Sequence, residues 1–467
     1  MNIVWFRHDL RLADNPALLA GREAGPVVPV FIWEPDEEYP WEPGAASRWW
    51  LHHSLKALGS QLAAVGSKLI LLAGPTRKTL RALVEETGAE AVYWNRRYEP
   101  AVLASDKEIE QALSDAGIRV DTFNGSFLSE PGEVSTKQGK PYKIFTPYWN
   151  ACKDREIEPT LPAPTRLAAP TKWPKSVALD DLGLLPTIDW AGAMRKAWTP
   201  GEAGATAQLE AFAGQGIDEY VEERNRPDHD GTSALSPHLH FGEISPRTIW
   251  HRVHSMRGVG AETYRKEIVW RDFGYQLLSH FPKTTDTPFR PEFERFPWRD
   301  DPAALRAWQR GWTGYPIVDA GMRQLWATGW MHNRVRMIVA SFLVKHLLLP
   351  WQDGARWFWD TLVDADLASN TLNWQWSAGC GADAAPYFRV FNPVLQGEKF
   401  DPKGVYVRKW VPELAEVPNE FIHKPWAAPL ELLRDCGATY PKPIVEHSAA
   451  RERALEAFRS ISKAEEA

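Results

Sequence analysis

Residues 3–18 read IVWFRHDLRLADNPAL, an apolar run followed by a charged loop and the signals of a helix start. Residues 3–6 have the short apolar composition of a buried strand. Pro16 stands where a helix would begin, and proline is favoured in the first helical turn. No Gly-x-Gly-x-x-Gly motif and no P-loop follows the strand, which argues against a dinucleotide or nucleoside triphosphate site of the usual kind.

The same alternation continues to about residue 125. Further strands are predicted at 27–33, 68–72, 91–95 and 119–123, with helical patterns at 47–65, 76–87 and 101–116. Strands that alternate with helices predict a parallel sheet with helices on both faces. The predicted class of residues 1–125 is therefore a doubly wound α/β domain.

Two further regions follow this domain. Nine prolines interrupt residues 126–195, which predicts an interdomain connector on the surface. From residue 196 to 467 the pattern is helical, with helices predicted at 202–214, 301–311 and 330–349. The helix at 301–311 combines Asp301 as N-cap, Pro302 in the first turn and Gly311 as the stop.

The overall composition restricts the cellular setting and the partners. The net charge is −6, so nucleic-acid binding would need a basic surface arranged by folding. Three cysteines without metal-ligand spacing indicate a reducing compartment. No leader peptide and no apolar run of bilayer-spanning length is present, which favours the cytoplasm.

Residues 363–376 read VDADLASNTLNWQW and mix carboxylates, amides and indoles. Buried carboxylates and amides need hydrogen-bond partners, which a polar heterocyclic ligand would supply. A helix end with solvated acids and packed indoles is the alternative, and this stretch alone leaves both open.

Three other clusters carry candidate chemistry. Thr232, Ser233 and Ser236 stand near a helix start, which suits either a phosphate or plain N-capping. The histidines there (His229, His238 and His240) lack an acidic partner with zincin spacing, which argues against a metal site. Glu267 and Arg271 share a helix face and can simply pair with each other, while Trp270 points elsewhere and can present its ring to a cleft. Asn333 and Met337 also share a face, where Met337 fills the core or contacts a flat ligand.

Together these segments resemble the photolyase/cryptochrome family over nearly the whole chain. The resemblance rests on residues 7–10, 14–18, 230–233, 267–271, 313–320, 329–337, 373–376 and 383–392. It implies FAD bound in a helical C-terminal domain. The implied FAD contacts are Tyr220, Thr232, Ser233, Ala234, Leu235, Ser236, Glu267, Arg271, Asn333, Arg336, Asp364, Asp366 and Asn370.

The resemblance also implies catalytic and DNA-contacting residues. Glu267 and Asn370 are implied at the reacting groups, with Asn370 beside flavin N5. Trp374, Trp351 and Trp298 are similar to a chain that carries an electron inward to FAD. The implied contacts to damaged DNA are Arg224, Glu267, Trp270, Asn333, Arg334, Met337, Trp376 and Gln396. The implied partner is UV-damaged DNA with a flipped-out pyrimidine dimer, bound by a monomer.

Several positions bear on the branch of the family. Asn333 and Asn370 favour a photolyase for cyclobutane pyrimidine dimers over one for 6-4 photoproducts or a signalling cryptochrome. Residues 47–51 and 325–330 resemble bacterial photolyases near plant cryptochromes, so a blue-light photoreceptor is the alternative. The implied antenna is 5,10-methenyltetrahydrofolate, held against Trp41 or other aromatic residues, in preference to 8-hydroxy-5-deazaflavin.

Overall fold

The computed structural model describes residues 1–384 and 388–462. Residues 385–387, which fall within the predicted family motif at 383–392, and residues 463–467 lie outside the described residues. The chain divides into two compact units. The first consists of Met1–Asp218, Ser233–Pro282 and Val363–Ala368. The second consists of Glu219–Thr232, Lys283–Leu362 and the described residues from Ser369 onward.

A five-stranded parallel sheet forms the centre of the first unit. Its strands are β1 (Asn2–Phe6), β2 (Val27–Trp33), β3 (Ile70–Ala73), β4 (Ala91–Asn95) and β5 (Arg119–Phe123). The strand order is β3-β2-β1-β4-β5. Ile3 of β1 pairs with Val28 of β2 and with Val92 of β4. The central strand is buried throughout, as expected for a parallel sheet with covered faces.

The helices up to His280 are α1 (Pro16–Ala24), α2 (Ala45–Ala64), α3 (Thr76–Thr87), α4 (Pro100–Asp115), α5 (Phe145–Cys152), α6 (Gly192–Ala197), α7 (Glu202–Gln215), α8 (Tyr220–Glu223), α9 (Ser236–His240), α10 (Pro246–His254) and α11 (Val259–His280). Ile3 and Trp5 form a core with residues of α3 and α4. On the other side of β1, a Cβ atom at Gly21 of α1 would lie only 2.5 Å from Val4 Cγ2. Helices therefore cover both faces, which confirms the predicted α/β class.

The later helices are α12 (Pro302–Gln309), α13 (Pro316–Thr328), α14 (Asn333–Ser341), α15 (Trp351–Thr361), α16 (Leu367–Ala378), α17 (Pro393–Phe400), α18 (Val405–Trp410), α19 (Leu430–Asp435) and α20 (His447–Ser462). Short 3₁₀ turns occur at Pro35–Glu38, Leu179–Leu182, Pro282–Thr285, Pro291–Arg295, Pro412–Leu414 and Pro425–Ala427. Among the described residues, no helix combines the length and the apolar composition that crossing a membrane requires.

Two predicted helices of the second unit differ in outcome. The Asp301 carboxylate accepts from the Ala304 backbone N–H at 3.0 Å, which confirms the predicted cap. The prediction of one continuous helix over residues 330–349 is wrong. His332 caps the chain at Arg334 N, so α14 begins only at Asn333. A π-helical turn at Phe342–His346 then replaces the regular helix.

Candidate functional site

Asp366 is a buried carboxylate that the first unit surrounds with donors and positive charge. The Tyr275 hydroxyl donates to Asp366 Oδ2 at 2.6 Å, and His240 Nδ1 lies 4.0 Å from the same oxygen. Burial alone would raise the pKa of Asp366, but His240 and the charge of Arg271 outweigh it and hold that pKa well below its usual range. Asp366 is therefore ionised at neutral pH and can accept a hydrogen bond from a ligand N–H.

The polar network around Asp366 extends to the loop after β4. The Tyr275 hydroxyl also lies 3.3 Å from Glu99 Oε1, and Arg97 forms ion pairs with Glu99 at 3.1 Å and Glu38 at 2.8 Å. Burial by itself would raise the pKa of Glu99, but the charge of Arg97 lowers it. The charge of Arg97 therefore favours the ionised form of Glu99.

Asp364 and Ser236, both predicted FAD contacts, lie together in the first unit. The Ser236 hydroxyl donates to Asp364 Oδ2 at 2.6 Å. Ser236 is the first residue of α9, which has only five residues. Because so short a helix has a small dipole, hydroxyl groups would contribute more than the dipole to any phosphate contact here.

The loop before α9 contacts α11 through Tyr264. The Tyr264 hydroxyl forms a side-chain hydrogen bond with Ser233. Burial raises the pKa of Tyr264, and the charge of nearby Glu267 adds to that effect. Ala234 has φ +50°, a left-handed conformation that is strained for a residue with a side chain. Leu235, also predicted as a contact, is buried and is the N-cap residue of α9. Tyr264 therefore interacts both with Ser233 of the predicted phosphate-binding loop and with Glu267.

Trp270 of α11 is stacked on Phe145 of α5. The two ring centroids are 3.7 Å apart and the planes are 8° from parallel, while Phe273 lies edge-on at 5.5 Å. Phe145 therefore covers one face of the partly exposed indole. Part of the indole surface therefore remains exposed, which is compatible with the predicted lesion-stacking role.

Arg271 contacts a backbone carbonyl and two aromatic rings. Its Nη1 donates to the Ser126 carbonyl, and its guanidinium lies 5.0 Å from the Phe127 ring and 5.2 Å from the Tyr275 ring. Arg271 therefore has a backbone and two aromatic partners, and its role as an FAD contact stays a prediction.

The second unit places Met337 and Trp376, both predicted substrate contacts, on one cavity of about 40 Å³. Arg290, Lys345 and Arg389 line the same cavity. None of these three cations was predicted. An indole and a thioether beside several cations suit a planar ring attached to a phosphate backbone.

Arg224, Arg334 and Arg389 form a cluster of arginines, and Arg389 also lines the cavity. Burial lowers the pKa of Arg334, and the positive charges of Arg224 and Arg389 lower it further, so these guanidinium groups lie close together. Arg334 also donates to Asn225 Oδ1 at 2.5 Å and lies 4.4 Å from the Phe400 ring. Predicted contact Gln396 lies one turn before Phe400 on α17, on the same helix face. Folding therefore supplies a local basic surface to a chain of net negative charge.

Four other predicted FAD contacts lie in the second unit, and each has different surroundings. Arg336 Nε donates to the Met331 carbonyl at 2.7 Å. Asn333 is exposed at the start of α14, and its role as an FAD contact stays a prediction. Tyr220 is buried under the Arg224 guanidinium, and Thr232 is partly exposed.

Trp374 is buried in an aromatic cluster of the second unit. Its ring lies 5.0 Å from Phe358 and 6.2 Å from Trp308, edge to face in both cases. A Cβ atom at Gly354 of α15 would lie 2.1 Å from Trp374 Cη2. Asn370 donates through its amide to the Ala355 carbonyl at 3.1 Å, which leaves its side-chain oxygen to accept. The absence of a side chain at Gly354 of α15 therefore leaves room for the indole of Trp374.

The other two tryptophans of the predicted electron chain differ in burial. Trp351, at the start of α15, is 2% exposed, and Trp374 is equally buried. Trp298 is partly exposed and lies 4.4 Å from Phe296. Burial therefore decreases toward Trp298, as expected for an electron path from the interior to solvent.

The three histidines near residue 230 have separate partners. His229 pairs with Glu223 at 2.6 Å, His238 pairs with Glu243, and His240 lies beside Asp366. In the part of the chain that the structure describes, no cluster of three metal-ligating side chains occurs.

Trp41, a candidate antenna contact, is 7% exposed. Little of its ring surface is therefore available to a second chromophore.

Several residues of the site escaped sequence reasoning. Tyr275 follows Glu267 and Arg271 at successive intervals of four, and this spacing was a signal that could have found it. Arg389 lies in the 383–392 motif but has no periodic partner. Phe145 lies in a connector segment, and nothing local links it to Trp270.

The comparisons with known proteins cover most of the chain. Residues 2–166 match the family model for DNA photolyase, and residues 264–460 match the model for the FAD binding domain of DNA photolyase. A deoxyribodipyrimidine photo-lyase of Agrobacterium fabrum is 52% identical over 99% of this chain and 98% of its own. Cryptochrome-2 of Arabidopsis thaliana is 43% identical over 100% of this chain and 79% of its own. The crystal structure of a bacterial class III photolyase from Agrobacterium tumefaciens superposes with a TM-score of 0.96 and 51% identity, over 99% of this chain and 98% of its own.

Proposed function

The chain belongs to the photolyase/cryptochrome family, and from that premise we propose that it is a deoxyribodipyrimidine photo-lyase. It repairs cyclobutane pyrimidine dimers in UV-damaged DNA with light. The observation that carries this conclusion is the full-length similarity to an enzyme of that name. The half-covered Trp270 ring and the cationic cavity beside Trp376 support the same activity.

FAD fits the residues present, because the buried, ionised Asp366 can accept from a ring N–H and hydroxyls line the loop before α9. The proposed contacts in the first unit are Ser233, Ala234, Leu235, Ser236, Glu267, Arg271, Asp364 and Asp366. Those in the second unit are Tyr220, Thr232, Asn333, Arg336 and Asn370. When bound, FAD supplies the light absorption and the electron that splits the dimer. The protein's own residues orient FAD and the DNA substrate and stabilise the charges on both.

The substrate is proposed to be a dimer flipped out of the duplex. A damaged base pair is poorly stacked, so extrusion costs less than for an intact pair. Trp270 and Trp376 would stack on the extruded bases, with Glu267, Asn333 and Met337 also on the lesion side. The Arg224 and Arg334 guanidinium groups would hold backbone phosphates, with Gln396 at the edge of the same surface.

A cryptochrome-type blue-light photoreceptor is the second candidate, because a plant cryptochrome aligns over the whole chain. The two candidates separate in one assay. Purified protein, reductant and blue light are applied to an oligonucleotide with one cyclobutane thymine dimer, and to a matched 6-4 photoproduct. Recovery of the thymine absorbance band on the dimer alone is expected. Normal flavin photoreduction without recovery on either substrate would favour the photoreceptor.

Phe145→Ala is expected to weaken binding of dimer-containing DNA about fivefold, because an aromatic stack contributes about 0.5–1.5 kcal/mol and Trp270 would lose its support. Phe145→Tyr keeps the stack and serves as the control. Affinity is measured in the dark by fluorescence anisotropy, with FAD content and photoreduction measured in parallel. An Ala variant that binds damaged DNA like the Tyr variant would contradict the supporting role.

The remaining features are proposed from the family resemblance. The antenna is proposed to be 5,10-methenyltetrahydrofolate, with 8-hydroxy-5-deazaflavin as the alternative. Mass spectrometry of the pigment released from purified protein distinguishes them. We propose a cytoplasmic monomer, and light scattering of the purified protein tests the oligomeric state.

A further inference from the structure

Tyr275 of α11 is a buried phenol between two carboxylates of the first unit. It is 4% exposed, and its hydroxyl oxygen lies 2.6 Å from Asp366 Oδ2 and 3.3 Å from Glu99 Oε1. A phenol carries one hydrogen, so it can donate fully to only one of these oxygens at a time. The shorter distance assigns that hydrogen to Asp366.

Ionisation of Tyr275 does not relieve this competition. Burial raises the pKa of its hydroxyl well above the usual value, and the charges of Asp366 and Glu99 raise it further. The phenol therefore stays protonated at neutral pH. Two acceptors compete for one donor hydrogen, and the carboxylate that receives it has more of its charge stabilised by the protein.

Glu99 has partners that do not depend on Tyr275. Arg97 Nη2 lies 3.1 Å from Glu99 Oε1, and the Tyr98 backbone N–H donates to Glu99 Oε2 at 3.1 Å. Arg97 also pairs with Glu38 at 2.8 Å. Glu99 therefore keeps an ion pair and a backbone hydrogen bond while the Tyr275 hydrogen is directed to Asp366.

Asp366 stays ionised with or without Tyr275. Burial raises the pKa of Asp366, but His240 and the charge of Arg271, more than the Tyr275 hydrogen bond, hold it well below its usual range. The His8 ring lies edge-on to His240 with centroids 4.7 Å apart, and burial followed by the charge of Arg97 lowers the pKa of His8, so it is uncharged. The Tyr275 hydroxyl therefore does not decide whether Asp366 is charged, but how strongly that charge acts on a ligand.

We propose that Tyr275 is a positioning residue that orients the Asp366 carboxylate toward FAD and makes bound FAD easier to reduce. The inference rests on the FAD binding of the proposed function and deepens it, because it names a residue that governs reduction of the cofactor. Asp366 is the proposed acceptor for a ring N–H, and Tyr275 acts only through Asp366.

The direction of the effect follows from charge. Reduction adds negative charge to the flavin ring system, and an adjacent carboxylate opposes it. A hydroxyl that donates to this carboxylate disperses part of its charge, so the opposition is weaker. Loss of the hydroxyl should therefore weaken the binding of reduced FAD more than that of oxidised FAD. The ratio of these two affinities determines how far the protein shifts the reduction potential.

The experiment is a redox titration of the FAD-loaded protein in the dark and without DNA, followed by flavin absorbance. Tyr275→Phe should lower the two-electron potential by about 30 mV, which corresponds to a change of about tenfold in the affinity ratio. Tyr148→Phe is the matched control, because Tyr148 is buried in the same unit and its hydroxyl bonds to the Cys152 side chain. The control should keep the wild-type potential.

A structural role alone would lower the stability or the FAD content of Tyr275→Phe without moving its potential. Both quantities are therefore measured on the same samples, by thermal denaturation and by flavin absorbance. A Tyr275→Phe potential equal to that of wild type would overturn the proposal.

Glu99→Gln supplies a second variant with the opposite expected sign. It removes the negative charge that competes for the Tyr275 hydrogen, so the potential should rise by about 30 mV. In the Tyr275→Phe background the same substitution should cause a much smaller shift, because coupled residues are not additive. Equal shifts in both backgrounds would overturn the proposal. A fall or no change in Glu99→Gln would overturn it even if Tyr275→Phe fails to fold.

Dimer repair by chemically reduced wild-type protein is measured separately, which distinguishes the inference from the proposed function. The expected shift in Tyr275→Phe, found in a protein that repairs neither substrate, would contradict the repair function and support the role of Tyr275. Repair of the dimer together with an unchanged Tyr275→Phe potential would contradict the inference and leave the function standing.

Discussion

Replacing Trp374 with Phe is expected to slow photoreduction of bound FAD about a hundredfold, equivalent to about 2.7 kcal/mol in activation free energy. The phenyl ring of Phe is much harder to oxidise than indole, so it would not pass an electron inward. It still fills most of the space between Phe358 and Trp308, so the fold should persist. Repair by chemically reduced protein should stay near the wild-type level, because the proposed relay reduces the flavin and does not take part in dimer splitting.

The measurement is the rate of flavin absorbance change under blue light, with dimer repair by dithionite-reduced protein measured in parallel. Trp359→Phe, a buried position of α15 outside the proposed relay, is the matched control. Trp351→Phe should resemble Trp374→Phe. Equal loss of photoreduction and repair in the Trp374 variant would contradict a role confined to the relay.

Gly354→Ala is expected to destabilise the second unit by about 2–3 kcal/mol, despite the higher helix propensity of Ala. The new Cβ would lie 2.1 Å from Trp374 Cη2, 2.4 Å from Trp374 Cζ3 and 2.6 Å from Leu343 Cδ2. The indole is a rigid ring in a filled core, so it cannot move aside without displacing its neighbours.

Chemical denaturation monitored by circular dichroism measures this loss. Gly59→Ala is the matched control, because Gly59 lies in α2 and a Cβ there meets nothing within 4 Å. The control should be stabilised by about 0.5–1 kcal/mol. Photoreduction should also slow in Gly354→Ala if the indole shifts. Stabilisation of both variants would show that α15 has room beside Trp374.

The strands of the first unit were predictable almost to the residue. The strand predicted at 27–33 is β2, and that at 119–123 is β5, because short apolar runs between polar breaks identify buried parallel strands. The caps were also readable where a carboxylate, a proline and a glycine coincide, as at Asp301. Local signals of this kind need no knowledge of distant residues.

The remaining features depend on contacts between residues far apart in sequence. The apolar run at 330–349 has a helical composition throughout. The helix nevertheless begins only at Asn333, after the capping residue His332. Near its end, the backbone N–H of Leu347 donates to the Phe342 carbonyl, five residues earlier, in a π-helical pattern. The partnership of Phe145 with Trp270 has no local sequence signal. The family resemblance supplied roles for individual residues. That Arg290, Lys345 and Arg389 surround one cavity could be recognised only from the folded structure.

The stack between Phe145 and Trp270 restricts how this protein can be recombined. Phe145 belongs to the proline-rich region that looks like a mere spacer, so a protein engineer exchanging modules between relatives would be tempted to place a crossover there. A breakpoint after Phe145 in this region would pair this α11 with a foreign residue at position 145. Chimeras should therefore keep α5 and α11 from the same parent and place their junctions before Phe145.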